Sequence, residues 1–192
     1  MTHTSDAGLF LLQMFFSLAT LMALLRFLFQ MMRVDYYNPI SQMVTRFTDP
    51  LLRPLRNLIP STRTIDGASL LALFLLQYAH LFLVASIREL NVNPLGLALL
   101  SSAEILALVT SILFWAILIL AIMSWFQPQT HHPGVSLLEQ LTAPLMRPIQ
   151  QLVPPTGGVD FSPLIALVVL KLAEFILIAP LKDMAALLLN AV

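Results

Sequence analysis

Five ionisable side chains lie inside long apolar stretches of this 192-residue sequence: Arg26, His80, Glu104, Lys171 and Glu174. A charge at membrane depth is costly, so such groups pair with one another, sit near a helix end or line a path for protons or cations. These residues are therefore the first candidates for a chemical role.

Two of the apolar stretches carry polar residues in the same pattern. Gln77, His80 and Arg88 share one stripe, and a shift of 94 positions places Lys171, Glu174 and Lys182 on the corresponding stripe. A pair between helices would join His80 or Arg26 to Glu174. A pair within one helix would join Lys171 to Glu174. Structural pairing is the favoured interpretation, and the alternatives are a proton or cation pathway and charges close to a helix end.

Arg26 and Glu104 have simpler expected roles. Arg26 shares a helix face with Arg33, so we expect its side chain to extend toward the lipid headgroups. Ser101-Ser102-Ala103-Glu104 has the pattern of a capping box, which predicts that the third spanning helix begins there with Glu104 near its start.

Nothing in the sequence is typical of an enzyme. It has no glycine-rich phosphate loop, no metal-ligand spacing and no cysteine, so thiol nucleophiles and thiolate sites are excluded. His132 precedes Pro133 as Asn38 precedes Pro39, which favours a turn-forming role. Haem binding through His80 or His132 lacks an evident axial pair. We therefore expect no enzymatic activity, no catalytic residue, no metal and no cofactor.

The composition is that of an all-α membrane protein. Hydrophobic residues make up 58% of the chain and charged residues 10%, and the formal net charge is zero, which gives no argument for direct nucleic-acid binding. A spanning helix needs roughly 20 apolar residues. Four stretches qualify, at about 9–32, 68–87, 103–126 and 163–181.

The chain is an internal repeat. Shifting it by 94 positions aligns residues 48–73 with 142–167 at 12 identities in 26 positions. The repeated loop residues and their counterparts are Asn38, Pro39, Thr48, Pro50, Arg53, Pro54, Arg56, Pro60 and Asp66, then His132, Pro133, Thr142, Pro144, Arg147, Pro148, Pro154 and Asp160. We therefore divide the chain into repeats 1–93 and 94–192.

Each repeat is expected to be a helix, a long loop and a second helix. Two spans per repeat make the copies parallel in the membrane. Most arginines lie in the long loops, so the positive-inside rule places those loops in the cytoplasm and both termini outside.

The long loops should contain short amphipathic helices at the membrane interface. Ile40, Met43, Val44 and Phe47 follow helical spacing. The apolar face continues with Leu51, Leu55 and Leu58, and Arg53 and Arg56 are expected on the opposite face. The prolines are expected to divide each loop into short segments. Basic pieces of this kind suit anionic lipid headgroups.

These motifs resemble the repeat of the YggT family. The resemblance rests on Asn-Pro-Ile-Ser from Asn38, Thr-Asp-Pro-Leu-Leu-Arg-Pro-Leu-Arg from Thr48, Thr-Ala-Pro-Leu-Met-Arg-Pro from Thr142 and Asp-Phe-Ser-Pro from Asp160. It implies a bacterial inner-membrane protein of a family linked to osmotic tolerance, to organisation of division or nucleoids, and to cytochrome assembly.

Two functions follow as expectations. The first is a non-enzymatic membrane scaffold or assembly factor, whose partners are the bilayer, anionic headgroups, an unidentified membrane protein and, as a further expectation, a second copy of the chain. The alternative is a small ion transporter or channel lined by the two polar stripes.

Overall fold

The chain folds into helices joined by short connections. A computed structural model describes residues 3–57, 59, 66–125, 132–153 and 160–189. Within those ranges the elements are α1 His3–Met31, α2 Pro39–Arg56, α3 Gly67–Ile87, α4 Pro94–Trp125, α5 Pro133–Leu152, α6 Ser162–Ala173, a π-helix Glu174–Ile178 and α7 Ala179–Leu189. The last three elements run on without a break and form one long helix.

Four of these helical segments are long and apolar enough to cross a membrane: Ala7–Met31, Gly67–Ile87, Pro94–Ser124 and Ser162–Leu189. Only 17–22% of each apolar window is buried within the protein. The remaining apolar surface requires a lipid environment, because water would be a poor solvent for so much of it. The predicted all-α membrane fold with four spans is thus confirmed.

The third span begins earlier than its sequence pattern indicated. α4 starts at Pro94, whose missing N–H costs nothing in a first turn, and Asn93 Oδ1 accepts a hydrogen bond from Leu95 N at 2.9 Å. Ser101 and Ser102 lie inside the helix and donate to the carbonyls four residues earlier. The expected capping box is therefore wrong, because the serine hydroxyls are used within an existing helix.

The two long connections hold one continuous helix each, and this corrects the expectation of short segments. α2 runs through Pro50 and Pro54, and α5 runs through Pro144 and Pro148. A proline removes one backbone donor and bends a helix, but it need not end the helix when tertiary packing holds both sides. In α2 that packing is provided by α1 on one side and α3 on the other.

The end of α1 reverses the chain sharply toward α2. Arg33 has φ 56°, in the left-handed region, and Val34 N donates to Phe29 O at 2.8 Å across the end of the helix. This is the hydrogen bond of a Schellman motif, here without the usual glycine. Glu89 ends α3 with φ 55° in the same manner. Both first-repeat spans thus stop at a defined residue.

The main core lies where both repeats meet. α3 packs on α4, α2 packs on α5, and α4 also packs along α5, α6 and α7. The buried side chains of this core come from six helices: Ala23, Leu24, Leu28, Phe29, Val44, Leu73, Leu113, Ala116, Ile117, Leu137, Leu141, Ala166 and Leu170. Because α2 and α5 contribute to this core, they are integral parts of the bundle and form a platform at one end of the spans.

Candidate functional site

The platform begins at two equivalent caps. Asn38 Oδ1 accepts a hydrogen bond from Ile40 N at 2.9 Å at the start of α2, and His132 Nδ1 accepts one from Gly134 N at 3.2 Å at the start of α5. Each cap stands directly before a proline in the first turn, where that residue is favoured. His132 thus acts as the turn-forming counterpart of Asn38.

The two caps also connect the repeats. Asn38 Nδ2 donates to the Pro133 carbonyl at 2.7 Å, and Asp35 N donates to Gln140 Oε1 at 2.6 Å. The side chain of Asn38 thus bonds within its own helix through the oxygen and across to the second repeat through the nitrogen. The amino ends of α2 and α5 are consequently held together.

Thr48 and Thr142 have the same local role in the two platform helices. Thr48 Oγ1 donates to Val44 O at 2.8 Å, and Thr142 Oγ1 donates to Leu138 O at 2.9 Å. Both residues are buried and stand two positions before the first internal proline. Hydroxyls that bond back to the helix in this way accompany a bend.

A chain of four alternating charges links α1, α2 and the start of α3. Arg26 Nη2 lies 3.6 Å from Asp49 Oδ1, which is 3.9 Å from Arg56 Nη1, and Arg56 Nη2 lies 2.8 Å from Asp66 Oδ2. Arg26 also donates to Thr45 Oγ1. The side chain of Arg26 is 13% exposed and that of Asp66 is fully buried. We call these four residues the charge chain.

The charge chain corrects two expectations. Arg26 was expected to extend to the headgroups, but Asp49 and Thr45 hold it inside the protein, because a buried guanidinium needs a counter-charge. Arg56 was expected on the outer face with Arg53, but it turns inward to Asp66, whereas Arg53 is exposed. Asp49 was missed as a site residue. The only sequence signal was an acidic residue seven positions before Arg56, on the same helical stripe.

Asp66 is the best-satisfied member of the charge chain. Its carboxylate accepts hydrogen bonds from Arg56, from the Ser69 hydroxyl at 2.7 Å and from Ser69 N at 3.4 Å. Burial alone would raise the pKa of Asp66, but the hydrogen bonds and the positive charge of Arg56 outweigh it and leave the pKa below its ordinary value. Asp66 is therefore both an ionised partner and the cap of α3.

The second repeat has a related arrangement in which the aspartate lacks an arginine partner. Asp160 Oδ1 accepts from Ser162 N at 2.8 Å, and Gln150, the counterpart of Arg56, donates to Asp160 Oδ2 at 3.3 Å. These hydrogen bonds, led by Ser162, lower the pKa of Asp160. Leu120 and Ala143 replace Arg26 and Asp49 in the second repeat. The charge chain is thus specific to the first repeat.

The outward side of α2 has an apolar ridge beside a basic edge. Met43, Phe47 and Leu51 are exposed along the ridge, Phe47 by 70%. Arg46 and Arg53 are exposed beside them, and neither forms an ion pair with a described residue. An open groove of about 480 Å³ lies along this side and is lined by Pro39, Gln42, Met43, Arg46 and Phe47. On α5, Arg147 is exposed as well.

The two polar stripes within the spans do not meet. Gln77 is half-buried, and His80 on α3 stacks on Phe16 of α1 with ring centroids 5.6 Å apart; its buried Nε2 has no hydrogen-bond partner among the described residues. Lys171 and Glu174 pair with each other at 2.7 Å at the junction of α6 and the π-helix. Of the pairings considered, the one within a single helix is formed, and the pairing of His80 or Arg26 with Glu174 is not.

Glu104 is no cap. The helix α4 begins ten residues before it, and its carboxylate instead pairs with Lys182 Nζ at 3.0 Å and joins α4 to α7.

The predicted motif residues Pro60 and Pro154 lie outside the described residues.

Four apolar spans and two equivalent platform helices define a multi-pass membrane protein built from two repeats. The sequence profile of the CCB3/YggT family matches residues 5–87 and again residues 99–181. The chain belongs to this family. The two matches begin and end 94 residues apart, which confirms the internal repeat.

Bacterial relatives match most of the chain. An uncharacterized protein of Pseudomonas aeruginosa is 37% identical over 96% of this chain and 94% of its own length. The uncharacterized protein YggT of Escherichia coli K12 is 38% identical over 84% of each chain. A protein of Vibrio alginolyticus is 36% identical over 88% of this chain and 91% of its own. No solved structure matches the chain significantly.

Proposed function

We propose that this protein is a non-enzymatic scaffold or assembly factor of the bacterial inner membrane, whose α2 and α5 platform docks on anionic headgroups and on a partner membrane protein. The observation that carries the proposal is the outward side of α2, with its exposed apolar ridge and basic edge. A helix of this kind inserts its apolar residues among acyl chains while its arginines reach the phosphates.

The internal contacts of the platform support a docking role. The charge chain holds the inner side of α2 against α1 and α3, so its outer side is presented in a fixed orientation. Each exposed arginine near an anionic membrane surface contributes about 1 kcal/mol to the free energy of membrane binding. Arg46, Arg53 and Arg147 are the residues of the platform available for this contribution, since Arg56 is engaged internally.

The expected setting is the cytoplasmic side of the inner membrane, because the arginine-rich connections favour that side. A protein there could organise division or nucleoid components, assist cytochrome assembly or contribute to osmotic tolerance, as the family resemblance implies.

Lipid capture tests the platform directly. Native mass spectrometry of the purified protein should detect retained phosphatidylglycerol, and R46E/R53E should lose most of it. R88E is the matched control, because Arg88 caps α3 at the opposite end of the bundle. Crosslinking and affinity purification from native membranes should show the same dependence for a protein partner. Unchanged lipid and unchanged partners in R46E/R53E would refute the docking role.

The alternative function is a small ion transporter or channel. It is favoured by the buried Nε2 of His80 within a span, which has no hydrogen-bond partner in the described part of the chain, since a buried titratable nitrogen could exchange a proton. The Lys171–Glu174 pair does not extend that site, because α3 and α6 do not pack on each other in the described part of the chain. Proteoliposomes provide the test: transport requires a flux in the wild type that H80A abolishes while expression is unchanged.

A further inference from the structure

The pair of Lys171 and Glu174 occupies an unusual place for two charges. The span Ser162–Leu189 has 28 residues, or about 42 Å at 1.5 Å per residue. Glu174 is 12 residues from its start, about 18 Å along the helix, and 15 residues from its end. The pair thus lies near the middle of the span, where charged groups are costly and usually face a protein interior.

The pair nevertheless lies on the outside of the single chain. The side chain of Lys171 is 51% exposed and that of Glu174 is 44% exposed. Beside them Phe175 and Leu172 are exposed, and a groove of about 300 Å³ runs between α4 and α6. Lys171 also lies over the ring of Phe114, with Nζ 5.0 Å from the centroid. A single copy in lipid would leave both charges partly in contact with acyl chains.

Headgroups do not account for this arrangement. A lone lysine can extend toward the nearer surface, but Glu174 is three residues deeper, about 4.5 Å along the helix, and binds Nζ at 2.7 Å. The carboxylate is too short to reach a surface itself. The ammonium is therefore held toward the middle of the bilayer, away from the headgroups.

We propose that the face of α6 and the π-helix around Lys171 and Glu174 is the contact surface between two copies of this chain. In a twofold-symmetric dimer the same surface patch of each copy forms the contact, so the patch must be complementary to itself. A patch with one cation and one anion meets this condition, because each Lys171 can approach the Glu174 of the other copy. The axial offset of about 4.5 Å is within the reach of a lysine side chain. A single-turn π-helix begins at Glu174, and such turns recur at functional sites.

This surface is separate from the α2 ridge, so it does not depend on the proposed docking. Contact between copies would bury four charges as an alternating group and would cover the apolar groove. Charged groups that are paired across helices are the tolerated form of charge inside a membrane.

Reversing one charge at a time tests the proposal. Two differently tagged copies, co-expressed and extracted in a mild detergent with added phosphatidylcholine and phosphatidylglycerol, should capture each other when both are wild type. K171E alone and E174K alone should each reduce self-capture by about tenfold, because like charges would then face each other. Copies carrying K171E should capture copies carrying E174K, since the signs match again across the contact.

Two controls separate this result from general damage. K182E breaks the Lys182–Glu104 pair, which has similar exposure but lies eight residues further along the helix than Glu174, and should leave self-capture unchanged. The thermal unfolding midpoint of each variant shows whether it is folded. Absence of wild-type self-capture, unchanged capture by folded K171E, or failure of K171E and E174K copies to capture each other would each overturn the proposal.

Discussion

Asp66 and Asp160 occupy equivalent positions just before α3 and α6, so truncating each one compares a carboxylate that has an ionic partner with one that has none. Asp66 accepts a hydrogen bond from Arg56 at 2.8 Å and one from the Ser69 hydroxyl at 2.7 Å. Loss of a charge-assisted hydrogen bond costs about 1.5–3 kcal/mol and loss of a cap about 1 kcal/mol. Because Arg56 is partly exposed and can be solvated after the loss, we expect D66A to cost about 3 kcal/mol.

Asp160 should matter less. It is exposed, its carboxylate accepts from Ser162 N at 2.8 Å, and its hydrogen bond from Gln150 comes from a neutral donor and is long at 3.3 Å. D160A should therefore cost about 1 kcal/mol, the usual net contribution of one exposed hydrogen bond between a side chain and the backbone. The difference of about 2 kcal/mol is the contribution of the arginine and of burial.

Equilibrium unfolding in mixed micelles of mild detergent and SDS, followed by circular dichroism, measures both variants under one condition. R56Q gives the first repeat the residue of the second, and on this background D66A should cost only about 1.5 kcal/mol. Equal costs for D66A and D160A, or a cost of D66A that R56Q leaves unchanged, would refute the link between ionic pairing and stability.

Three further predictions concern other parts of the bundle. R26L should lower the free energy of unfolding by about 2–3 kcal/mol because Asp49 loses the nearer of its two arginine partners, and R26L/D49A, which copies the second repeat, should recover most of that loss in the same titration. Stability from Asp66 is complete above its ordinary pKa of 3.8 and is lost as the pH falls toward its lower folded-state pKa, so unfolding midpoints should decrease below about pH 4 in the wild type and less in D66N. G96A should destabilise the bundle by about 1–3 kcal/mol, since a Cβ there would stand 2.8 Å from Leu189 N; a variant with an unchanged thermal midpoint would contradict the close packing of α4 on α7.

The spans and the repeat could be predicted because they depend on composition and on chain-wide periodicity. Four apolar stretches and a 94-residue shift are visible without any knowledge of tertiary contacts. The caps at Asn38 and His132 were also accessible, since a cap is set by a few neighbouring residues. Local chemistry and length were sufficient for these features.

The charge chain could not be predicted from the sequence in this way. Arg26 and Asp49 are 23 positions apart, and their meeting depends on how α2 folds back against α1. Pro50 and Pro54 indicated an interrupted segment, because the local rule does not include the packing that keeps α2 continuous. Lys171 and Glu174 were paired correctly only as neighbours on one helix, where spacing alone decides the contact.

The hydrogen bond from Asn38 to Pro133 has a consequence for how this architecture arose. The two residues stand at neighbouring points of the repeated motif, so the contact joins the equivalent ends of the two platform helices. An ancestral protein with a single repeat could have formed the same contact as a symmetric pair of subunits, later fused into one chain. After such a fusion the two halves no longer need to have identical sequences. One half could then carry four charges between its helices while the other carries leucine, alanine and glutamine at three of those positions.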